Sequence, residues 1–204
     1  MSGVYSDMSQ NVSSNAGKAL RTVGVDDGGF QSQWPSIRRQ GKAVLAAVLL
    51  NEYWIDDIHV GEITVDGLDA TEVLEKLLNR WEFDAVFLSG VSFAGFNLID
   101  AEAIHKRFGR PVVVVSGDKP DNVAVKKALQ KHFTDWEARW KIVRKLGRIY
   151  SAAPVVAEPP LYFEAVGLSP RSAKLMIRAL AVSSRLPEPI RVARLVARGL
   201  TRYT

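Results

Sequence analysis

The sequence predicts an α/β protein with a mixed sheet, antiparallel in its first three strands and parallel after them, with helices packed on both faces. Three apolar segments come first, at residues 19–25, 42–50 and 54–65. The turn residues 51–52 separate the last two, and this spacing favours a hairpin, so the three segments are expected to form an antiparallel meander. From residue 70 onward, helical patterns alternate with short apolar strands, which is typical of helices packed against a sheet.

Each of these elements has a local signal. Residues 42–50 form an apolar run, which predicts a strand buried on both faces. Asp69 or Thr71 is suited to cap the helix that follows the third strand. The remaining predicted strands are 84–88, 112–115 and 162–166, and the predicted helices are 70–80, 100–108, 123–132 continuing to 145, 168–183 and 190–200.

Length and composition restrict the class of protein. The chain has 204 residues, which fits one domain better than two, and its hydrophobic fraction of 47% is ordinary for a globular protein. It has no cysteine, which excludes disulfides and thiolate metal sites. No apolar run is long enough to span a membrane, and the polar tail at 1–18 predicts a disordered segment instead of a secretory signal. We therefore expect a cytoplasmic protein without membrane contacts, and a dimer is compatible with the sequence.

The net charge of +5 is unevenly distributed. Lysine and arginine concentrate at 126–148 and 171–202, whereas residues 52–75 are acidic. An acidic patch beside basic flanks suits a protein that binds a metal ion and the phosphate backbone of DNA or RNA. The alternative is that the basic helices simply face water.

Asp26 and Asp27 end the first strand and are followed by two glycines. Adjacent carboxylates repel each other and are poor strand formers, so a bound cation would offset the cost of this placement. Mg²⁺ prefers carboxylate and water oxygens, often with only one or two protein carboxylates plus substrate phosphate. The pair is therefore a candidate site for Mg²⁺ or Mn²⁺, and a solvated turn is the alternative.

Asp66 and Asp69 form a second acidic cluster, between the third strand and the following helix. If the strand order is 3-2-1 with a fourth strand beside the first, carboxylates from strands one and three can be neighbours. Both are therefore candidate metal ligands. A helix N-terminus favours negative charge, so Asp69 is the better explained of the two as a helix cap.

A loop rich in small residues, 89–97, follows the fourth strand. Ligands of open α/β sheets tend to bind at the carboxyl ends of strands, so this loop is a candidate substrate site. Phe93 or Phe96 is suited to stack on a base, and the alternative places both in the core. Lys119 follows the strand at 112–115 and is suited to bind phosphate, with a solvated turn as the alternative. The candidate substrate contacts in the loop are Ser89, Gly90, Ser92, Phe93 and Asn97.

Several common catalytic motifs are missing from the sequence. The three histidines, His59, His105 and His132, do not have the spacing of metal ligands such as HExxH. The chain also lacks a nucleophile elbow, a phosphate-binding P-loop and a dinucleotide-binding glycine motif. These absences argue against a serine hydrolase, a P-loop nucleotidase and a Rossmann dehydrogenase.

Five segments together resemble an uncharacterised, mainly archaeal protein family related to endonuclease V. They are VDDGGF, VDGLDAT, FLSGVSFAGFNLID, SGDKPD and LPEPIRVARLVA, in this order, and the resemblance covers about residues 20–202. It implies a ribonuclease-H-like fold in a single domain at 19–204. It also implies metal-dependent cutting of nucleic acid near a deaminated base, uracil or hypoxanthine, as in nucleic-acid repair.

The resemblance also implies roles for individual residues. Asp26 matches the aspartate that endonuclease V carries at the end of its first strand, with Asp27 beside it. The second carboxylate of that family matches Asp66 most closely, with Asp69 possible by position. A lysine after the strand at 112–115 matches Lys119.

Two positions depart from the endonuclease V pattern. Ser89 and Gly90 stand where that family has aspartate followed by glycine, and Arg194 stands where its last helix carries an acidic residue or histidine. The loss of a carboxylate at Ser89 weakens a two-metal mechanism. Asp26, Asp27 and Asp66 would then hold one Mg²⁺ or Mn²⁺.

Two hypotheses follow from these residues. In the first, the protein is a metal-dependent endonuclease in which Asp26, Asp66 and Lys119 serve catalysis. Arg191 and Arg194 are then contacts to the nucleic-acid backbone or structural ion pairs. In the second, the protein keeps the fold and the basic surface and binds nucleic acid without cutting it.

Overall fold

The structure, a computed structural model, describes residues 19–28 and 41–201, so the predicted tail at 1–18 lies outside the described residues. The strands are β1 (Arg21–Asp26), β2 (Lys42–Asn51), β3 (Trp54–Thr64), β4 (Ala85–Leu88), β5 (Ser92–Phe93), β6 (Asn97–Leu98), β7 (Val112–Ser116), β8 (Tyr150–Ala152) and β9 (Leu161–Val166). The helices are α1 (Ala70–Leu78), α2 (Ala101–Phe108), α3 (Asn122–His132), α4 (Trp136–Lys145), α5 (Pro170–Leu180) and α6 (Glu188–Thr201).

Seven strands form one mixed sheet in the order β3-β2-β1-β4-β7-β9-β8, and β5 and β6 pair as a separate short hairpin. The first three strands are antiparallel neighbours, and β4 lies parallel to β1 on its other side. The predicted order 3-2-1 with a fourth strand beside the first is therefore confirmed. β7 continues the parallel part, whereas β9 and β8 are antiparallel to their neighbours.

The sheet separates two hydrophobic layers, as the predicted fold class requires. On one face, α1 and α2 pack against β1, β4 and β7 through side chains such as Leu74 and Ile104. On the other face, α5 packs against β4, β7 and β9 through Ile177. β2 contributes to both layers, because Leu49 faces α1 while Leu50 packs with Ala193 of α6. The prediction that this strand is buried on both faces is confirmed.

The remaining differences from the predicted elements are local. The helical pattern predicted to continue through residue 145 is interrupted, because Phe133 is extended (φ −130°, ψ 127°) and α4 begins afresh at Trp136. β8 and the β5–β6 hairpin have only two or three residues per strand, too few for a periodic pattern. Among the described residues, no helix is both long and apolar enough to cross a membrane.

Candidate active site

The last helix, α6, lies along β1 because two glycines remove the side chains between them. A Cβ atom on Gly24 would overlap the backbone carbonyl of Pro189. A Cβ atom on Gly28, which has φ +80°, would lie 2.9 Å from the backbone nitrogen of Arg198. From Gly24 to Gly28 the chain advances by up to about 13 Å, and from Pro189 to Arg198 the helix rises by about 13.5 Å, so the two elements stay in step.

Asp26, the last residue of β1, lies between these two glycines in the sequence and meets Arg194 of α6. Its side chain is only 2% exposed. The Oδ1 atom accepts a hydrogen bond from the backbone N–H of Gly28 at 2.6 Å, and Oδ2 accepts from Nε of Arg194 at 3.0 Å. A buried carboxylate without a partner costs several kcal/mol, so the guanidinium offsets the desolvation of Asp26.

The same guanidinium reaches the next strand. Nη2 of Arg194 donates to Oγ of Ser89, directly after β4, at 2.7 Å. The backbone N–H of Ser89 donates to the carbonyl of Val25, which holds the end of β4 beside the end of β1. Arg194 therefore bridges the carboxyl ends of two neighbouring parallel strands, the edge where open α/β sheets bind ligands.

Asp27 and Asp66 hold the loop 94–96 from two sides. Oδ2 of Asp27 accepts from the backbone N–H of Ala94 at 2.7 Å, and Oδ1 of Asp66 accepts from the N–H of Phe96 at 2.9 Å. Asp66 has a positive φ of 56°, and its own N–H donates to the Ala94 carbonyl at 2.9 Å. A glycine is required at position 95, because a Cβ atom there would overlap the Asp66 carboxylate.

Arg139 of α4 holds the loop 94–96 and its neighbours through their backbone carbonyls, a role that the sequence did not predict. Its side chain is 5% exposed. Nη1 donates to the carbonyls of Phe96 at 2.7 Å and Gly67 at 2.9 Å, and Nη2 donates to the carbonyl of Asp66 at 2.9 Å. Its Nε atom donates to Asp135 at 2.8 Å, and this hydrogen bond is the main reason that the pKa of Asp135 is lowered. The available sequence signal is the i,i+4 spacing of these two charged residues.

Asp69 and Asn97, both candidate site residues, are tied into the protein itself. Asp69 accepts from the backbone N–H and the hydroxyl of Thr64 and from Nδ2 of Asn97 at 2.5 Å. Burial acts to raise the pKa of Asp69, but the hydrogen bonds from Thr64 and Asn97 outweigh it, so the pKa is lowered. Asp69 stands at the N-cap position of α1, yet its side chain does not cap the helix. The Oδ1 atom of Asn97 accepts from the N–H of Ala70 at 3.0 Å instead.

The other candidate residues divide between core and surface. Phe93 is 1% exposed and belongs to the core, which is the second of its two predicted alternatives. Phe96 is half-buried, with its ring at 5.5 Å from that of Phe133 in an edge-on arrangement. Ser92 is exposed beside Gly90, and Lys119 is exposed after β7. Arg191 forms an ion pair with Glu188 at 2.7 Å, which is the second of its two predicted alternatives, and its predicted contact with nucleic acid stays a prediction.

The side chains at the ends of β1 and β4 do not fit a ready-made divalent-metal site. In the ranges 19–28 and 41–201, no three aspartate, glutamate or histidine side chains lie close enough together to hold an ion. Both oxygens of Asp26 already accept hydrogen bonds, and Ser89 is uncharged. The Arg194 guanidinium would also repel a cation, by about 4 kcal/mol per pair of unit charges 4 Å apart near a protein surface.

A mixed sheet of this order, with helices on both faces and a carboxylate at the end of its first strand, defines a ribonuclease-H-like protein. Solved structures agree. A protein of unknown function from Archaeoglobus fulgidus superposes with a TM-score of 0.75 and 29% identity, over 89% of this chain and 98% of that one. Endonuclease V from Ciona intestinalis, in complex with DNA containing an inosine, has a TM-score of 0.57 and 15% identity, over 91% and 86% of the two chains. Human endonuclease V also has a TM-score of 0.57, with 15% identity, over 91% and 85%.

The family described as Endonuclease dU matches residues 18–201. A UPF0215 protein of Methanosarcina mazei is 33% identical over 186 residues, which are 89% of this chain and 91% of that protein. The UPF0215 protein MK0057 of Methanopyrus kandleri is 35% identical over 187 residues, 90% and 92% of the two chains. The chain therefore belongs to the endonuclease dU family, and the predicted relation to an archaeal family resembling endonuclease V is confirmed.

Proposed function

We propose that this protein is an endonuclease that cuts nucleic acid beside a deaminated base, with uracil as the first candidate base. The observation that carries the proposal is the match of residues 18–201 to the endonuclease dU family. The fold supports it, because structures of endonuclease V superpose on nine-tenths of the chain. Hypoxanthine is the second candidate base, since the superposed Ciona structure contains an inosine.

The carboxyl ends of three parallel neighbours, β1, β4 and β7, form the reaction edge of the sheet in this proposal. Asp26 ends β1, Ser89 follows β4 and Lys119 comes after β7, in the spatial order of the strands. Strands lie about 4.8 Å apart, so the three ends together span about 10 Å. Lys119 is exposed and would contact a phosphate as a point charge, and Asp26 would hold Arg194 in position behind the substrate.

The loop 90–96 would receive the base. Enzymes that act at a base commonly turn it out of the stack into a pocket that reads its edge. Ser92 is exposed for a polar contact, and Phe96 is partly exposed for stacking. Asp27 and Asp66 hold the loop from two sides, so the pocket would be largely formed before the substrate arrives.

The exposed lysines and arginines of α3, α4 and the turn after them would bind the nucleic-acid backbone. Charge-neutralising contacts of this kind dominate non-specific affinity for DNA and make it salt-dependent. The exposed basic side chains are Lys127, Lys131, Lys141, Arg144 and Arg148.

We assign no step of the reaction to Mg²⁺ or Mn²⁺, because Arg194 occupies the place between Asp26 and Ser89. The dependence on Mg²⁺ or Mn²⁺ that the resemblance implies stays a prediction. Labelled oligonucleotides of DNA and RNA, each containing uracil, hypoxanthine or neither, are incubated with the protein in Mg²⁺, in Mn²⁺ and in EDTA. Cutting at uracil is expected in at least one condition, and failure to cut any of these oligonucleotides would contradict the proposal.

Single-residue variants test whether cutting takes place at the ends of β1 and β4. Asp26→Asn keeps the shape of the side chain but releases Arg194, and a misplaced catalytic contact commonly costs about 100-fold in rate. Arg178→Gln is the matched control, because Arg178 is an exposed arginine of α5, a helix that packs on β8 and β9. If the wild-type protein and Asp26→Asn cut at equal rates, the reaction does not take place at the ends of β1 and β4.

A second candidate function, binding nucleic acid without cutting it, is favoured by the bridge that Arg194 makes between Asp26 and Ser89. This bridge stabilises the strand ends without needing a reaction. The two functions separate in the same experiment, because a pure binding protein retards the oligonucleotides on a native gel and leaves them intact.

A further inference from the structure

We propose that Arg194 is a permanent cation of the site, one that binds a backbone phosphate of nucleic acid directly, with the Ser89 hydroxyl beside it and no metal ion between. The inference rests on the nucleic-acid substrate of the proposed function but not on cutting. It assigns a ligand, a phosphodiester, to the two side chains that depart from the endonuclease V pattern.

The guanidinium has donors to spare. Arginine carries five N–H donors in a rigid fork. Nε is used by Asp26 and one donor of Nη2 by Ser89. No further partner of Arg194 lies in the described part of the chain, and 32% of its side chain is exposed. The donors that remain are thus available to an anion that approaches the ends of β1 and β4.

Ser89 supplies a second donor at the same point. Its Oγ atom accepts from Arg194 at 2.7 Å, which leaves its own proton to be donated elsewhere. A guanidinium donor and a hydroxyl donor side by side match two oxygens of one phosphate group. A carboxylate at position 89 would instead repel that group, so the serine is consistent with an anion as the ligand.

The charges on the α6 side of the pair also favour an anion. Asp26 is 2% exposed and lies behind the guanidinium, so the surface presents the positive group and not the carboxylate. Arg198, one turn further along α6, donates to the Gly28 carbonyl at 3.0 Å and is itself exposed. Two arginines therefore follow each other along the helix face that borders the strand ends.

The first measurement is the salt dependence of binding to an oligonucleotide in EDTA, where neither metal binding nor metal-dependent turnover takes place. The variant is Asp26→Asn with Arg194→Gln. It leaves no unpaired buried charge and keeps the formal net charge of the protein, so any change is local. Each phosphate contact adds about 0.9 to the slope of log K against log salt on duplex DNA, and about 0.7 on single strands.

We expect the slope of the double variant to fall by that single contact and its affinity in low salt to fall about tenfold. Arg178→Gln, which does change the net charge, is expected to keep the wild-type slope. Inorganic phosphate is titrated separately as a competitor of the oligonucleotide. If it competes only at millimolar concentrations, the ligand is the backbone phosphodiester and not free phosphate. An unchanged slope in a folded double variant, or a wild-type protein that does not bind in EDTA, would overturn the inference.

The second measurement is a titration with Mn²⁺ followed by electron paramagnetic resonance of the free ion. We expect the wild-type protein, without nucleic acid, to leave the free Mn²⁺ signal unchanged at micromolar concentrations. Uptake of one equivalent that Asp26→Asn abolishes would show that a metal, and not Arg194, is the cation of the site. Neither measurement depends on cutting, so a failed cleavage assay and a failed inference remain distinguishable.

Discussion

Arg194 and Asp26 lie 168 residues apart in the sequence, yet the guanidinium Nε atom donates to the carboxylate Oδ2 atom at 3.0 Å. This pair joins α6 to β1 at the carboxyl ends of β1 and β4, where the site is proposed. The carboxylate is buried and the guanidinium is partly exposed, so each side chain has a separate consequence for stability and for binding.

Removal of the guanidinium alone is expected to destabilise the protein, because it leaves Asp26 buried without its charged partner. Arg194→Gln should lower the free energy of unfolding by about 2–3 kcal/mol, less than for a fully buried pair because Arg194 is partly solvated. Urea denaturation measures the change. Adding Asp26→Asn to Arg194→Gln should recover most of the loss, and a double variant less stable than the single one would contradict this account.

The contact of α6 with β1 depends on the absence of a side chain at Gly24. Gly24→Ala would drive a Cβ atom into the Pro189 carbonyl, and we expect a loss of about 3 kcal/mol or failure to fold. Gly199→Ala is the control, because Gly199 lies in α6 itself and has open space around it. It should stabilise the helix by about 0.5–1 kcal/mol. Thermal denaturation of both variants tests the pair, and similar melting temperatures would count against the close approach.

Arg139 should control the rigidity of the loop 94–96. Arg139→Lys cannot donate to three carbonyls and Asp135 in the same planar arrangement, so the loop should open more often. Amide hydrogen exchange at Phe96 and Asp66 is expected to accelerate by about tenfold or more, on the scale of one lost hydrogen bond. Arg144→Lys, an exposed position of the same helix, serves as the control. An unchanged exchange rate in Arg139→Lys would mean that Asp27 and Asp66 hold the loop without Arg139.

Glu164 of β9 should make stability depend on pH. It is 4% exposed, and burial raises its pKa to about 7. Because the folded protein retains a proton that the unfolded chain releases near pH 4.5, stability falls as pH rises from about 4.5 to about 7 and is level above that. The full loss is about 3 kcal/mol.

Glu164→Gln should abolish this dependence and be more stable than the wild-type protein above pH 7. Urea denaturation between pH 4.5 and 8 measures it, with Glu158→Gln at an exposed position as the control. Parallel pH curves for the wild-type protein and Glu164→Gln would show that Glu164 ionises normally in the fold.

A metal site should appear once the arginine is exchanged for a carboxylate. In Ser89→Asp with Arg194→Gln, two carboxylates would face the place that the guanidinium bridged, and carboxylate oxygens suit Mn²⁺. We expect Mn²⁺ to raise the melting temperature of this variant by several degrees and to leave the wild-type protein unchanged. Arg194→Gln alone, with one carboxylate, should respond little, and an equal response from it would assign the ion to other ligands.

The sequence predicts the sheet well because its pattern is local. The apolar run of β2 and the alternating β3 specify a meander. That β4 lies beside β1 is only a condition of the prediction, and the structure supplies it. The sequence pattern does not predict the ion pair of Asp26 with Arg194, because Arg194 reaches Asp26 only where Gly24 lets α6 approach β1 at Pro189. Asn97 and Phe93 have residue types suited to a substrate site, but tertiary packing turns both inward. Such outcomes depend on neighbours that no local pattern contains.

The course of α6 along β1 also bears on how the chain folds. Contacts between distant parts of a sequence form slowly, because the loop must close before the contact stabilises it. Until α6 docks, Asp26 has no guanidinium beside it and β1 carries a charge that resists burial. The bridge between Asp26, Arg194 and Ser89 therefore forms only when α6 docks, so under the proposed function a chain with a complete sheet but an undocked α6 would not bind the phosphate. Binding would then report that folding is complete.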